Sequence, residues 1–396
     1  MNNSATARRV LWAAIVAGLL ARLVIAFKTY GVPYDTESFE AVRRVLGTRP
    51  LDLYSIVNGD PFFRWPYPPA FLPFVTLAGW LSDTTGLPFH GWVQVPQIAA
   101  DAIIAWLVQH YLGLRGAQER VRLAAAALVA LGPSFAIVSG FHGQIDSFAI
   151  LPAVAALVVW ERSAPDLRRA VIAGALIGLG TSVKTVPLLV LFALLPSTRS
   201  WRERLALFAP AAAIPLLMLV PFLLATGDDT VNSLRQHKAL PGVGGISLLV
   251  QPELAGVWLT GSGVSLTSLS RTLLDNQMLL VAAVMAPFAA LLAIRRVSPA
   301  AAATVLWLVF YVFGVAFVFQ YAVWGLPFAL MAGYVWQVAA VQAALLVPSV
   351  LLYQRGILED PQQIYVPMMI GVWAFLLVAL LRMIAGLVGV REPETA

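Results

Sequence analysis

VLWAAIVAGLLARLVIAF, from Val10 to Phe27, carries a single charge, Arg22, and ends at Lys28. An apolar run of this length is what a helix needs to cross a ~30 Å hydrocarbon core. It ends in a lysine, not at a small-residue cleavage site, so it is expected to stay as a first transmembrane helix and not to be removed as a signal. Similar runs recur along the whole chain. Only 12% of its 396 residues are charged and 60% are hydrophobic, against about a quarter charged in soluble domains. The fold class expected is an all-α polytopic membrane protein forming one domain over 1–396.

Arginine clusters set the orientation, because short cytoplasmic loops are enriched in Lys and Arg. Arg8-Arg9, Arg115/Arg120/Arg122, Arg162/Arg168/Arg169, Arg199/Arg202/Arg204 and Arg295-Arg296 mark the inside. The first helix, about 10–27, leaves the cytoplasm, and a long external stretch covers 28–91. Within it, 67–81 is apolar but short and proline-broken, which reads as an interfacial or re-entrant helix.

Passes then follow at about 92–111, 123–139, 145–161 and 204–226, with a hairpin of two short helices at 170–196. A second external segment spans 227–275. Passes at 277–294 and 299–319 precede 322–352, where Gly325, Pro327 and Gly333 suggest two broken helices, and a last pass at 366–388. The count is about twelve crossings with both termini inside. The net charge of +6 belongs to the inside arginines, and no nucleic-acid partner is expected. The chain has no cysteine, which excludes disulfides, thiolate nucleophiles and cysteine-metal sites.

This topology places the unusual polar side chains on the outer face. Asp35 and Glu37 follow the first helix; Asp35 or Thr36 could cap the next helix, or Asp35 could serve as a general base for an acceptor hydroxyl. Arg64, Trp65 and Tyr67 precede the interfacial helix, where Arg64 could grip a phosphate and the aromatics form an ordinary interfacial belt. His142-Gly143-Gln144-Ile145-Asp146-Ser147 makes a tight outer turn. A turn needs only Gly and a cap, so His142, Gln144 and Asp146 together point to contact with sugar hydroxyls. A divalent ion is possible there but not favoured, since no paired carboxylates lie at close spacing.

Lys184 sits at the tip of the short hairpin, where an ammonium suits a phosphate or snorkels to the headgroups. Arg235, His237 and Lys238 precede a glycine-rich stretch and could clamp a lipid phosphate or form a solvated loop. Gln320 and Tyr321 are expected in a cavity wall. Asp101 falls mid-helix in an apolar pass, and a structural contact with Arg22 is the expected explanation.

The order of these motifs resembles the GT-C superfamily of integral-membrane glycosyltransferases. It is most similar to the bacterial polyprenyl-phosphate-mannose-dependent mannosyltransferases and to the catalytic subunit of glycosylphosphatidylinositol mannosyltransferase I. The resemblance is carried by Asp35-x-Glu37, Tyr67-Pro-Pro, Asp101, Gly143-Gln-Ile-Asp146, Lys184-Thr-Val-Pro and Phe319-Gln-Tyr-Ala-Val-Trp324-Gly-Leu-Pro327. The family often has Asp-x-Asp in its first loop, where this chain has Glu37 as the second acid.

What the resemblance implies is an inverting transfer on the external face of a bacterial cell membrane. The donor would be a polyprenyl-phosphate sugar, mannose by preference, and the acceptor a hydroxyl of a glycolipid or glycan. Asp35 would be the base, Lys184, Arg64 and the Arg235/His237/Lys238 group the phosphate cations, and His142, Gln144 and Asp146 the pocket lining. The prenyl tail would lie among membrane lipids in a groove between helices, and no cofactor is required. Two other readings stay open: a lipid or solute transporter, which would place charges at the midplane, and a non-catalytic envelope-synthesis subunit.

Overall fold

The computed structural model describes residues 3–60, 62–235, 240–295, 297–354 and 356–389. Among them every regular element is helical. The N-terminal helix α1 (Asn3–Lys28) is followed by three short helices of the outer stretch, α2 (Pro33–Leu46), α3 (Leu53–Gly59) and α4 (Leu72–Thr85). The first bundle contains α5 (Phe89–Leu114), α6 (Glu119–Ala130), the single turn α7 (Pro133–Phe135), a π-helix (Ala136–His142) and α8 (Asp146–Arg162). The hairpin is α9 (Leu167–Thr181) and α10 (Leu188–Leu194), and α11 (Trp201–Arg235) follows it. Short helices α12 (Ile246–Val250), α13 (Ala255–Leu259) and α14 (Ser268–Asp275) form the second outer segment. The chain closes with α15 (Gln277–Arg295), α16 (Pro299–Phe313), α17 (Ala322–Met331), α18 (Val335–Tyr353) and α19 (Gln362–Gly389).

Seven of the described helical stretches are long and apolar enough to cross a membrane: Thr6–Lys28, Phe89–Leu114, Glu119–His142, Trp201–Arg235, Gln277–Arg295, Val335–Tyr353 and Gln362–Leu387. The chain is an integral membrane protein. The other expected crossings fall on α8, α9, α10, α16 and α17, which are shorter and pack among these seven. The 67–81 run becomes α4, at 14 residues too short to span. The 322–352 run divides into α17 and α18 at Ala332-Gly333-Tyr334, where Gly333 takes φ +91°.

Small residues let the helices approach closely. Gly174 and Gly178 stand one turn apart on α9 and face the backbone of α11: a Cβ on Gly178 would come within 2.7 Å of the Pro210 carbonyl. Such spacing of small residues drives helix association where burial from water contributes nothing. Polar pairs fasten the rest. Arg22 on α1 meets Asp101 on α5 at 3.2 Å (Nε–Oδ2), with the side chains 2% and 1% exposed, and Asp101 also accepts from Ser139 at 2.5 Å. Arg22 donates further to the carbonyls of Ala130 and Val129. The expected Arg22–Asp101 contact is therefore present, and it ties α1, α5, α6 and the π-helix into one unit.

The stretch between α1 and α5 is a folded cap. Phe39, Val42, Leu53, Tyr54, Trp65, Phe71 and Val75 form a second core that continues into Val93, Ile145, Ala149, Val183 and Phe222 at the helix ends. Hydrogen bonds from Tyr54 Oη to the Tyr67 carbonyl (2.7 Å), from the Trp65 amide to Asn58 Oδ1 (2.8 Å) and from Asn58 Nδ2 to Ser233 Oγ (2.7 Å) clamp α3 and the 65–67 strip to α11. Near that point α11 bends at Thr226; the hydroxyls of Thr226 and Thr230 both reach the Phe222 carbonyl that the bend leaves open. The cap thereby seats α2 over the turn that follows the π-helix.

Candidate active site

Two local features bring the acid of α2 to the turn at residues 142–147. Pro33 starts α2, a position where its missing N–H costs nothing, and Val32 is the N-cap. Asp35 is therefore the third residue of the helix and does not cap it. The capping reading of Asp35 fails; Asp146 begins α8 behind Ile145 and makes no cap bond either. On the other side, α6 gives way to the π-helix Ala136–His142, closed by Gly143 at φ +81° with its N–H on the Val138 carbonyl at 3.0 Å. A π-turn inserts a residue into helical spacing and is frequent at functional sites. Here it delivers His142 to the head of the bundle.

The result is a chain of hydrogen bonds across five elements. His142 Nε2 lies 2.6 Å from Asp35 Oδ2, and Gln144 Nε2 donates to Asp35 Oδ1 at 2.6 Å. Tyr67 Oη donates to Gln144 Oε1 at 3.2 Å, and Tyr353 Oη lies 2.8 Å from His142 Nδ1. A hydroxyl donating to Nδ1 selects the tautomer with hydrogen on Nε2, so His142 then donates to Asp35. The carboxylate accepts two hydrogen bonds and retains lone pairs for a third donor. Burial, with Asp35 and Asp146 near, holds the Tyr67 phenol well above its ordinary pKa, so Tyr67 acts as a neutral donor.

These groups border a cavity of about 460 Å³. Asp35, His142, Gln144, Tyr67, Arg64, Gln320 and Tyr321 all line it, together with Tyr34, Ser38, Trp65, Trp258 and Tyr353. The side chain of Asp35 is 19% exposed, partly open to the cavity. Asp35 is the single acid and Arg64 the single permanent cation among the described lining residues. The second outer segment supplies Leu240, Val243 and Trp258 to the rim.

Other expected residues are placed elsewhere. Glu37 is exposed and does not line the cavity, because residues two apart on a helix point in different directions; Asp35 and Glu37 therefore make no joint ligand set. Lys184 does not line the cavity either. Its ammonium bonds Asp146 Oδ1 at 2.6 Å in a pair 4% and 0% exposed, and stands 5.2 Å and 5.0 Å over the rings of Tyr67 and Trp324. Trp324 Nε1 also donates to Asp146 Oδ1, and its ring stacks on Tyr321 at 4.0 Å. The pair thus braces the back of Tyr67 and Tyr321, one layer behind the cavity. Arg235 is exposed at the end of α11; His237 and Lys238 lie outside the described residues. Among the described residues no three His, Cys, Asp or Glu side chains converge as metal ligands.

The sequence alone singles out neither Tyr353 nor Tyr34, and it marks Trp324 only as part of a motif, without a role. Tyr353 ends the apolar run of α18 and in sequence resembles any aromatic at a membrane boundary. Only the return of α18 to the end of the bundle that carries His142 reveals its partner.

Residues 65–319 match the family described as glycosyltransferase family 87. No curated protein matches the chain significantly. Solved structures match at low identity, three of them as follows. The S. cerevisiae protein O-mannosyltransferase complex bound to the sugar donor is 16% identical, with 59% of this chain and 33% of that chain covered and a TM-score of 0.38. The Archaeoglobus fulgidus oligosaccharyltransferase AglB, in complex with an inhibitory peptide and a dolichol-phosphate, is 12% identical, with 94% and 56% covered and a TM-score of 0.40. An A. fulgidus oligosaccharyltransferase tethered with an acceptor peptide is 13% identical, with 95% and 55% covered and a TM-score of 0.36. The chain spans between a third and little more than half of these proteins.

Proposed function

This chain belongs to glycosyltransferase family 87, and from that premise we propose that it transfers a sugar from a polyprenyl-phosphate donor to a hydroxyl of a lipid-linked or glycan acceptor, with Asp35 as the base. The resemblance noted in the sequence favours mannose as the sugar and the external face as the place of reaction.

The observation that carries this reading is the single carboxylate among the described residues that line the cavity, held from behind by two donors. Glycoside hydrolysis uses two carboxyl groups with either stereochemical outcome, and in inversion one of them is the acid that protonates the leaving oxygen. A phosphate leaves without such an acid, so an inverting transfer from a phosphosugar needs only one base for the attacking oxygen. In the proposed step the acceptor hydroxyl gives its proton to Asp35 as its oxygen bonds to the anomeric carbon. The bond from that carbon to the phosphate oxygen breaks, and the polyprenyl phosphate leaves with the electron pair. Arg64, the permanent cation of the described lining, takes the charge that develops on the phosphate. Gln144, itself held by Tyr67, holds one oxygen of the carboxylate, and His142 holds the other.

The test is incubation of the purified full chain with a panel of polyprenyl-phosphate sugars and a membrane lipid extract, beside the Asp35→Asn variant. Positioned acid–base groups are worth roughly 10²–10⁴-fold. The variant is expected to lose that much turnover with donor affinity kept. Equal turnover by both proteins would refute the assignment of the base, and no transfer from any donor would refute the activity.

A further inference from the structure

Helices α16, α17, α18 and α19 enclose a second cavity of about 320 Å³, separate from the catalytic one. Its walls are apolar for most of its length, with Leu308, Ala329, Val341, Leu376 and Ala379 among them. Polar groups gather at one end: Tyr334, Gln337 and Arg382. That end belongs to the membrane face opposite the catalytic cavity. Tyr353, at the far end of α18, lines the catalytic cavity, and the 19 residues of α18 span roughly 28 Å at 1.5 Å per residue. Helix α19 runs back alongside α18. Its Tyr365 bonds the Val243 carbonyl at 2.6 Å, next to the catalytic rim, which leaves Arg382 about seventeen residues, or roughly 26 Å, further down.

The lining includes Arg382 and no acid, and among the described residues no carboxylate pairs with Arg382. Phe375 and Val378, at 40% and 47% exposure, open the wall toward the bilayer. An acyl chain that enters an apolar slot open to the bilayer gains dispersion contacts along its walls. A basic pocket between transmembrane helices binds an anionic headgroup.

We propose that this slot is a binding site for an anionic diacyl phospholipid of the leaflet opposite the catalytic cavity. One acyl chain lies between α16 and α19, and the phosphate sits at Arg382, with Tyr334 and Gln337 beside it. The site has a mechanical connection to the catalytic wall. Tyr311 lines the slot, and its hydroxyl donates to the Tyr321 carbonyl at 2.7 Å; Tyr321 in turn lines the catalytic cavity. The proposal stands independently of the sugar-transfer reading.

Native mass spectrometry of the delipidated full chain tests it, with phosphatidylglycerol and phosphatidylcholine of matched chains and a polyprenyl phosphate as three separate arms. Phosphatidylglycerol is expected to bind one to one more tightly than phosphatidylcholine. Arg382→Gln should weaken it about tenfold, the effect of one charge-assisted hydrogen bond, and Arg382→Lys should restore most of the loss. Ala379→Trp, which fills the slot, should abolish that binding while the protein stays monodisperse with an unchanged melting temperature. Equal phosphatidylglycerol binding by Arg382→Gln and the parent chain would overturn the proposal. Displacement of phosphatidylglycerol by polyprenyl phosphate that is unaffected by Arg382→Gln would overturn it too, and assign the slot to the donor's tail.

Discussion

His142 Nε2 stands 2.6 Å from Asp35 Oδ2, although 107 residues separate the two in the chain. The contact joins the cap to the bundle, and the π-helix makes it possible by carrying His142 past ordinary helical spacing to the end of the bundle that faces α2. His142→Gln keeps a donor but places it differently, and a misplacement near 1 Å can cost about 10²-fold in turnover. We expect a loss of that order in kcat for sugar transfer with the donor KM little changed, read from initial rates at saturating acceptor.

Tyr353 acts through His142. Its hydroxyl at 2.8 Å from Nδ1 fixes which ring nitrogen carries hydrogen and therefore whether Asp35 receives a donor. Tyr353→Phe removes one neutral hydrogen bond, worth about 1 kcal/mol, or roughly five- to tenfold in rate. The loss should appear in kcat, and Tyr353→Phe combined with His142→Gln should cost little more than His142→Gln alone. Additive losses would show that Tyr353 acts on the substrate directly.

The helical architecture was legible in the sequence because the bilayer demands long apolar runs, and those are visible without partners. The break between α17 and α18 was legible from Gly325, Pro327 and Gly333 for the same reason. Asp35, His142, Gln144, Tyr67, Gln320 and Tyr321 could be singled out as polar groups at helix ends, and all line one cavity. What sequence spacing does not encode is which face a side chain takes. Asp35 and Glu37 look like a pair in the chain, yet they diverge once 33–46 is helical. Lys184 looked like a free cation because Asp146, its partner, comes from 38 residues earlier. Tyr353 had no signal of its own, since its role depends on a π-helix two hundred residues away.

Arg64 is the permanent cation of the described cavity lining, and it is exposed. A charge-assisted hydrogen bond to phosphate is worth about 1.5–3 kcal/mol, so Arg64→Gln should raise the donor Kd by roughly ten- to a hundredfold. The acceptor KM should stay within a factor of two or three. Titration of the Asp35→Asn background with donor isolates binding from turnover; an unchanged Kd there would remove Arg64 from the phosphate site.

Lys184 and Asp146 form a buried pair, at 4% and 0% exposure. Removing one member leaves a buried charge without its partner, at about 3–5 kcal/mol. Lys184→Met and Asp146→Leu should each lower the melting temperature strongly, and the double variant should recover much of that loss, with the coupling read from the cycle. A Lys184→Met protein of normal stability with a weakened donor Kd would show that Lys184 serves the phosphate in place of the fold.

Gly178 tests the packing that holds the bundle together. A Cβ there would meet the Pro210 carbonyl at 2.7 Å and the Ala211 Cα at 3.2 Å, both backbone atoms of α11 that cannot rotate away. Overpacking of this kind costs about 1–3 kcal/mol, so Gly178→Ala should lower the melting temperature in detergent. Gly371→Ala on α19 is the matched control: nothing lies within 4 Å of its Cβ position, and alanine is the better helix former by about 1 kcal/mol. That variant should melt at or above the parent temperature. Equal behaviour of the two variants would mean that α9 and α11 are not locked together by their small-residue face.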